Sequence, residues 1–566
     1  MDRGKVQDAR SVRLLLPLVL LLVGLYNFLP LLATDIGPHS SLLPISSCHI
    51  SHVPSIKTDT QFLDWIDKQS TVALDKILRN IVAPGVVVAS PSKKDPDYFY
   101  QWTRDGAIVM NTLVEEYFDL QLEGNTEKQK EATLLLGHIL DYFNTSFTLQ
   151  RLSNPSGNFS PTDKYRSLGE PKFNVDNTVF RSEWGRPQND GSPLRLSTAI
   201  NFLTRLNQTD IADRNPKADH FLHITHFNRT LSSSFAFANE YELIENVLYF
   251  DMKFLALNWN ESCFDLWEEV YGKHFFTTLV QYNAAAMSVD LLESLRDTYS
   301  YYPGEDHELL GQLQYTRDNL WSQLVAKDNF LQEDKSYIVE TPERDLKRRP
   351  TGLDVAVLLG VNSIYRNRAG EQTLPPLPLR INDPKVLATF HELVKRMSTI
   401  YPVNNGKLWQ RGVALGRYPE DIYDGRGFTG GNPWFLCTLA ASEFLLRLIT
   451  EYQGTKSDIL IGYESRDFWS SVLKGLNTNL PNKESADSIV IPYNSATFNQ
   501  TVHELFDLSE SFLDVVRQHV SREGYEMSEQ FDKRTGFLTG AQDLTWSYSS
   551  FLDTVRLRSK VWKLIQ

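Results

Sequence analysis

Apolar residues return at helical spacing along almost the whole chain, and strand signals are scarce. Phe276, Val280, Met287, Leu291 and Leu295 mark one such face; Val502, Leu505, Phe512, Val516 and Val520 mark another. The pattern predicts helices near residues 59–81, 104–118, 127–146, 191–206, 241–259, 273–297, 306–326, 352–364, 383–400, 432–452, 500–521 and 543–565. Asn432 followed by Pro433 reads as an N-cap with proline at the first helical position. Residues 488–493 are the best strand candidate. A helical solenoid would also use this many helices, but it repeats at a fixed period, and no such repeat is seen. The expected class is all-α.

With 566 residues, 42% of them hydrophobic, the chain can bury one large core or two ordinary ones. Its formal net charge of −13 repels nucleic acid and anionic membrane surfaces, and suits a neutral substrate. The three cysteines, Cys48, Cys263 and Cys437, allow at most one bridge, so packing must supply the stability. Cys263 is expected to be buried as a small apolar residue.

Residues 1–13 carry Arg3, Lys5, Arg10 and Arg13, and an apolar run follows over residues 14–33, interrupted by Pro17, Gly24 and Pro30. This run reads either as a cleaved signal peptide or as a membrane tether. Either way, residues 34–566 are expected in the secretory lumen or outside the cell. Asn-x-Ser/Thr sites at Asn144, Asn158, Asn207, Asn228, Asn260 and Asn499 fit that compartment. Residues 34–57 read as a spacer, and residues 58–566 as one catalytic domain.

Two segments carry chemistry. Residues 261–270 set Asp265, Glu268 and Glu269 among Phe264, Leu266, Trp267 and Val270. Residues 527–531 read Met-Ser-Glu-Gln-Phe, and an aromatic stretch from Asp543 to Tyr548 follows. An isolated acidic triplet is usually a solvated helix edge, but this one alternates with side chains that should be buried. Two acid-bearing segments flanked by aromatics suit sugar cleavage. One carboxyl stays protonated to donate to the leaving oxygen; the other is ionised to activate water or attack the sugar.

Here the chain resembles the fungal-type glucoamylases, glycoside hydrolase family fifteen, over most of residues 60–560. Five segments carry the likeness in order. They are Tyr98-Phe-Tyr-Gln-Trp-Thr-Arg-Asp105, Trp184-Gly-Arg-Pro-Gln-Asn-Asp190 and Phe264-Asp-Leu-Trp-Glu-Glu269. Gly416-Arg-Tyr-Pro-Glu-Asp421 with Gly431-Asn-Pro-Trp434 is the fourth, and Ser528-Glu-Gln-Phe531 with Leu544-Thr-Trp-Ser-Tyr548 the fifth. The resemblance implies an (α/α)6 barrel of six inner and six outer helices, with the site built from loops at one end. Loops 147–190 and 401–434 hold motifs and are expected to line the site; loops 207–240 and 453–499 hold none and are expected at the surface. No separate starch-binding domain is expected after the last helix.

The resemblance implies Glu268 as general acid and Glu529 as general base. Chain neighbours agree. Trp267 and Glu269 would raise the Glu268 pKa by desolvation and like charge, while Ser528 and Gln530 would keep Glu529 ionised. The family inverts, which implies carboxyls about 6.5–9.5 Å apart. Arg104 and Asp105 resemble the pair that grips the terminal glucose, a charged fork that can orient two hydroxyls. Arg417, supported by Asp421, resembles the arginine near the cleavage point, and Glu269 would contact the leaving-side sugar. Trp102, Trp184, Trp267 and Trp434 would form stacking walls, with Tyr98 near the reacting centre and Asp265 and Leu266 completing the set. Phe531 stands where many relatives have tyrosine, which implies a hydroxyl missing near the base. Gly540 stands where some have a serine bonded to the base, which implies a base titrating higher than theirs.

Other motifs fall away. Residues 425–430 match G-x-G-x-x-G, but no buried strand precedes them. His220, His223 and His226 lack the further ligands of a metal site. The resemblance thus implies a cofactor-free, metal-free, monomeric exo-acting hydrolase releasing β-glucose from α-1,4-glucans, and more slowly from α-1,6 links. An inverting glycosidase of the same barrel acting on trehalose or dextran, and an inactive carbohydrate-binding homologue, are the alternatives.

Overall fold

The computed structural model describes residues 59–123, 125–212, 235–342, 349–366, 377–408, 411–473 and 488–566. Twelve principal helices run through them: α1 Thr60–Arg79, α2 Thr103–Glu123, α3 Thr126–Gln150, α4 Gly191–Ala212, α5 Tyr249–Asn258, α6 Phe275–Tyr299, α7 Leu309–Val325, α8 Ala356–Arg366, α9 Pro384–Ile400, α10 Phe435–Thr455, α11 Ala496–His519 and α12 Thr545–Ile565. A single turn, Glu240–Leu243, and a π-helical turn, Ile244–Leu248, lead into α5. All twelve expected stretches are helical. A short helix, Arg466–Val472, is additional.

The even-numbered helices form a ring: α2 packs on α4, α4 on α6, α6 on α8, α8 on α10, α10 on α12, and α12 closes on α2. Each carries one outer helix, with α1 on α12, α3 on α2, α5 on α4, α7 on α6, α9 on α8 and α11 on α10. This is the (α/α)6 barrel. Composition explains which helices go inside. Seventeen of the 25 residues of α6 are buried, as are 16 of the 21 of α10, so neither has a face for solvent. The outer α11 instead buries a stripe that includes Phe498, Val502, Leu505, Phe512 and Val516.

Helix starts divide the same way. Asp59, Asn125, Asn239, Asp383 and Ser495 cap outer helices, or the turn leading into α5, with their own side chains. His274, Trp434 and Leu544, which precede α6, α10 and α12, make no such bond. Partners from other loops serve instead: Glu340 accepts from Phe276 N and, through its carbonyl, from Phe275 N. The inner helix starts are thereby stitched into the loops around them. Asn432 is not the expected cap. Its side chain bridges Asp424 O and Gln530 Oε1, because α10 starts only at Phe435.

Five two-stranded antiparallel ribbons stiffen the loops: β1 Ile81–Ala83 with β2 Val86–Val87, β3 Gln101–Trp102 with β4 Lys172–Phe173, β5 Cys263–Phe264 with β6 Tyr271–Gly272, β7 Ile459–Ile461 with β8 Ile489–Ile491, and β9 Gln530–Phe531 with β10 Leu538–Thr539. The last strand of the β7–β8 ribbon lies in the expected strand segment 488–493.

Candidate active site

Glu268 sits in the six-residue turn of the β5–β6 hairpin. Asp265 builds that turn: its Oδ1 accepts from Glu269 N at 2.7 Å and Val270 N at 2.9 Å, and its carbonyl accepts from Glu268 N at 2.9 Å. Glu268 takes a left-handed φ of 67°, a conformation costing a non-glycine residue about 1–3 kcal/mol and held only where the surroundings enforce it. Leu266 and Trp267 are buried on either side of the pocket end of the turn. The Trp267 indole donates to both oxygens of Asp354 at 2.9 and 3.0 Å. Glu268 Oε1 accepts from Trp102 Nε1 at 2.6 Å and Gln188 Nε2 at 3.0 Å. The carboxyl therefore meets donors. The like-charged neighbour expected beside it, Glu269, turns away to Arg417 (2.8 Å), Arg349 (2.5 Å) and Tyr418 (2.5 Å).

Glu529 precedes β9 and is fully buried. Burial pushes its carboxyl up to about 7, against the opposing pull of Ala541 N–H, Arg417, Tyr98 and Tyr423. This corrects the expectation that polar chain neighbours keep Glu529 ionised; Gln530 Nε2 does approach, at 3.3 Å, but enclosure outweighs it. Ala541 N (3.3 Å) and Tyr423 Oη (3.4 Å) also bond Oε2, whereas Oε1 is buried and meets no donor among the described residues. Tyr423 Oη is 3.1 Å from Tyr98 Oη. The hydroxyls beside Glu529 thus come from Tyr423 and, through it, Tyr98. Phe531 is no gap in this arrangement: its ring stacks on His519 at 4.3 Å and packs against Phe435.

Both carboxyls line one pocket together with Ala89, Tyr98, Trp102, Arg104, Asp105, Leu266, Trp267, Arg417, Tyr423, Trp434, Leu436, Leu544 and Trp546. Arg104 is buried between Gln188 Oε1 (2.8 Å), Asp190 (3.2 Å), Asp105 (3.4 Å) and Glu268 (3.8 Å), and these carboxylates keep it charged despite its burial. Burial pushes Asp105 up to about 6 against the pull of Arg104. Arg417 pairs with Asp421 at 2.6 and 2.8 Å and lies 5.2–5.4 Å from the ring centres of Trp267, Tyr423 and Trp434.

Ten of the expected residues line the pocket, among them Glu268, Glu529, Arg104 and Arg417. Four serve from behind. Asp265 caps the turn, Asp421 and Glu269 hold Arg417, and Trp184 packs on Trp102 at 6.0 Å. Sequence reasoning passed over Gln188, Asp190 and Tyr418, although each stands inside a quoted motif. It also passed over Trp546, which stands in the fifth motif, and missed Tyr423, Arg349, Asp354 and Lys172, which stand in none. Lys172 faces Trp102 across the β3–β4 ribbon and is buried with its ammonium 3.6–4.4 Å from the ring centres of Tyr100, Trp102, Phe180 and Trp184. This burial pushes it down to about 8. Loop 401–434 lines the pocket as expected, through Arg417, Tyr423 and Trp434, and the described part of 453–499 supplies no lining residue. Loop 147–190 puts no residue on the pocket wall and reaches the site from behind, through Trp184, Gln188 and Asp190.

The remaining motifs behave plainly where described. Residues 425–430 form bends with no strand before them. Cys263 and Cys437 are buried, unbridged thiols, and burial pushes Cys263 up to about 12. Asn158, Asn260 and Asn499 are exposed; Asn144 is half-buried in α3 with its Oδ1 accepting from Ala236 N. The Asn207 side chain, Asn228, His220, His223, His226, Cys48 and residues 1–58 lie outside the described residues. Among the described residues no helix is long and apolar enough to cross a membrane.

A barrel of paired helices whose inner-helix entrances surround two carboxyls and a wall of aromatics is the architecture of a carbohydrate-cleaving hydrolase. The chain belongs to the glycosyl hydrolases family 15, whose model matches residues 69–556. It is 37% identical to an intracellular, sporulation-specific glucoamylase of Saccharomyces cerevisiae, over 88% of this chain and 84% of that protein. A Saccharomycopsis fibuligera glucoamylase is 34% identical over 89% and 91%. Among solved structures, a glucoamylase of Saccharomycopsis fibuligera superposes with a TM-score of 0.77 at 34% identity, covering 89% of this chain and 96% of that one. The Hormoconis resinae glucoamylase gives 0.68 at 28% identity, covering 88% and 74%.

Proposed function

We propose that this chain is a glucan 1,4-α-glucosidase that removes β-glucose from the non-reducing ends of α-glucans with inversion. The observation that carries this reading is that Glu268 and Glu529 line one aromatic pocket with Arg104 and Asp105. Arg104, fixed by Gln188 and Asp190, offers the terminal sugar a rigid charged donor, with Asp105 as acceptor beside it. Trp102, Trp267, Trp434 and Trp546 supply apolar faces for the ring.

In this scheme Glu268 protonates the glycosidic oxygen. Its Oε1 is occupied by Trp102 and Gln188, so the proton sits on Oε2. Glu529 takes the proton of the attacking water through Oε1, which meets no hydrogen-bond donor among the described residues. Water attacks the anomeric carbon on the face opposite the departing sugar, and the configuration inverts. Arg417, held by Asp421 and Glu269, lies on the leaving side. The pocket is built from one chain, so a monomer suffices, and residues 58–566 act as one catalytic unit. The exposed sequons Asn158, Asn260 and Asn499 support a secretory-pathway location.

Proton NMR during the first turnovers on maltose tests the reading. β-Glucose is the expected first product. Initial α-glucose rules out inversion, and no glucose rules out the activity.

A further inference from the structure

Residues 421–431 form a loop beside the pocket that is braced well beyond what an exposed turn requires. Its centre is Asp424, whose carboxylate accepts from the backbone N–H of Arg426 (3.0 Å), Gly427 (2.6 Å) and Thr429 (3.2 Å) and from the Thr429 hydroxyl. Partial burial opposes ionisation here, yet these donors pull the carboxyl down to about 2. The neck is closed by Gly430 N to Ile422 O (2.9 Å) and Gly431 N to Asp421 O (2.7 Å). Lys533 Nζ ties Gly430 O to the hairpin of the base at 2.8 Å. Gly425, at φ +89°, lies so close to Gly540 that a Cβ would come 2.6 Å from its Cα. The loop is thereby fixed to the same hairpin that follows Glu529.

The frame presents Phe428, a side chain 73% exposed, with Ile422 exposed near the neck. Isolated exposed apolar residues are ordinary and need no explanation. Phe428 differs in its mounting and its place. Its ring centre lies 6.2 Å from that of Tyr423, which lines the pocket and bonds the base. The neck residue Asp421 holds Arg417, the leaving-side arginine. The apolar surface therefore continues the pocket wall outward on the leaving side.

We propose that Phe428, flanked by Ile422, is a stacking platform for glucosyl units of an α-glucan beyond the first leaving-side sugar, so that this enzyme favours long chains over disaccharides. A flat aromatic face complements the apolar face of a pyranose ring. A loop already locked by Asp424 loses little conformational freedom when the chain settles on it. Maltose ends at the first leaving-side sugar and does not reach the platform; a heptasaccharide does. The inference rests on the glucosidase reading above.

The test compares kcat/KM for maltoheptaose and for maltose in the wild type, Phe428→Ala, Phe428→Tyr and Asp424→Ala. The ratio of the two is expected to fall about three- to tenfold in Phe428→Ala, the range of one aromatic contact. It should stay near the wild-type value in Phe428→Tyr, and fall in Asp424→Ala, where the ring is kept but its frame is freed. A ratio unchanged in Phe428→Ala overturns the platform while leaving the glucosidase reading intact. Wild-type protein that releases glucose from neither substrate overturns that reading, and the platform with it.

Discussion

Gly540 lies directly against the proposed base: a Cβ there would come 2.3 Å from Glu529 Oε2, and the backbone is left-handed at φ +72°. A serine here is strained by the left-handed backbone, and its Cβ must push the Glu529 carboxylate aside before its hydroxyl can bond it. Gly540→Ser is expected to lower kcat by about 10²-fold, the scale of a catalytic group misplaced by an ångström, and kcat on maltose measures it. Glu268→Gln and Glu529→Gln are expected to keep substrate binding and lose about 10²–10⁴-fold in kcat; a variant keeping more than roughly a tenth of the wild-type rate refutes its assigned role. The base must be ionised to act. Because burial raises Glu529 to about 7, its ionised fraction at a given acidic pH is smaller than for an ordinary glutamate. The acidic limb of kcat/KM is therefore expected well above the ordinary glutamate pKa of about 4.3. Tyr423→Phe removes a bond that favours the carboxylate, so the limb should move further up in pH, as a pH–rate profile would show.

At the level of elements, the β5–β6 hairpin depends on one arginine far along the chain. Arg349 meets Asp265 at 3.0 Å, Asp354 at 3.3 Å and Glu269 at 2.5 Å, behind the Trp267 indole that Asp354 holds. Burial raises both Asp354 and Glu340 against the opposing pull of Arg349. Arg349→Met is expected to cost about 3–5 kcal/mol, because it strands buried carboxylates rather than merely deleting a bond. It should also lower kcat by releasing Glu269 and the turn that carries Glu268. Denaturant midpoint and kcat report the two effects separately. The helices themselves were legible because each repeats its apolar positions at the helical period. Arg349 was not, since nothing in its own neighbours points to a turn some eighty residues earlier in the chain. For the same reason adjacent residues were a poor guide to surroundings: Glu269 is next to Glu268 in sequence, but the turn directs it to Arg417 and Arg349, and enclosure rather than Ser528 and Gln530 governs Glu529.

Across the whole barrel, the two ends differ in chemistry. The entrances of the inner helices carry the pocket, while further along a network of ion pairs links five of them. Arg205 of α4 pairs with Glu115 of α2, and Glu116 of α2 with Arg556 of α12. Asp553 of α12 then meets Arg556, Thr112 and Arg366 of α8, and Arg366 meets Glu443 of α10. Asp553→Ala leaves Arg366 without one of its two carboxylates and is expected to cost about 3–5 kcal/mol, read as a lowered denaturation midpoint, with kcat of the folded protein near wild type. By itself, the sequence determined that the fold is all-α, where its twelve main helices run, and which five segments carry the family likeness, because periodicity and motif identity are local properties of the chain. Only the tertiary structure decided how the ring closes, which motif residues face the pocket and which brace it from behind, and that Glu529 is enclosed beside Tyr98 and Tyr423. Those outcomes depend on residues brought together from opposite ends of the chain, and burial, which sets both their charge and their position, exists only once the barrel has closed.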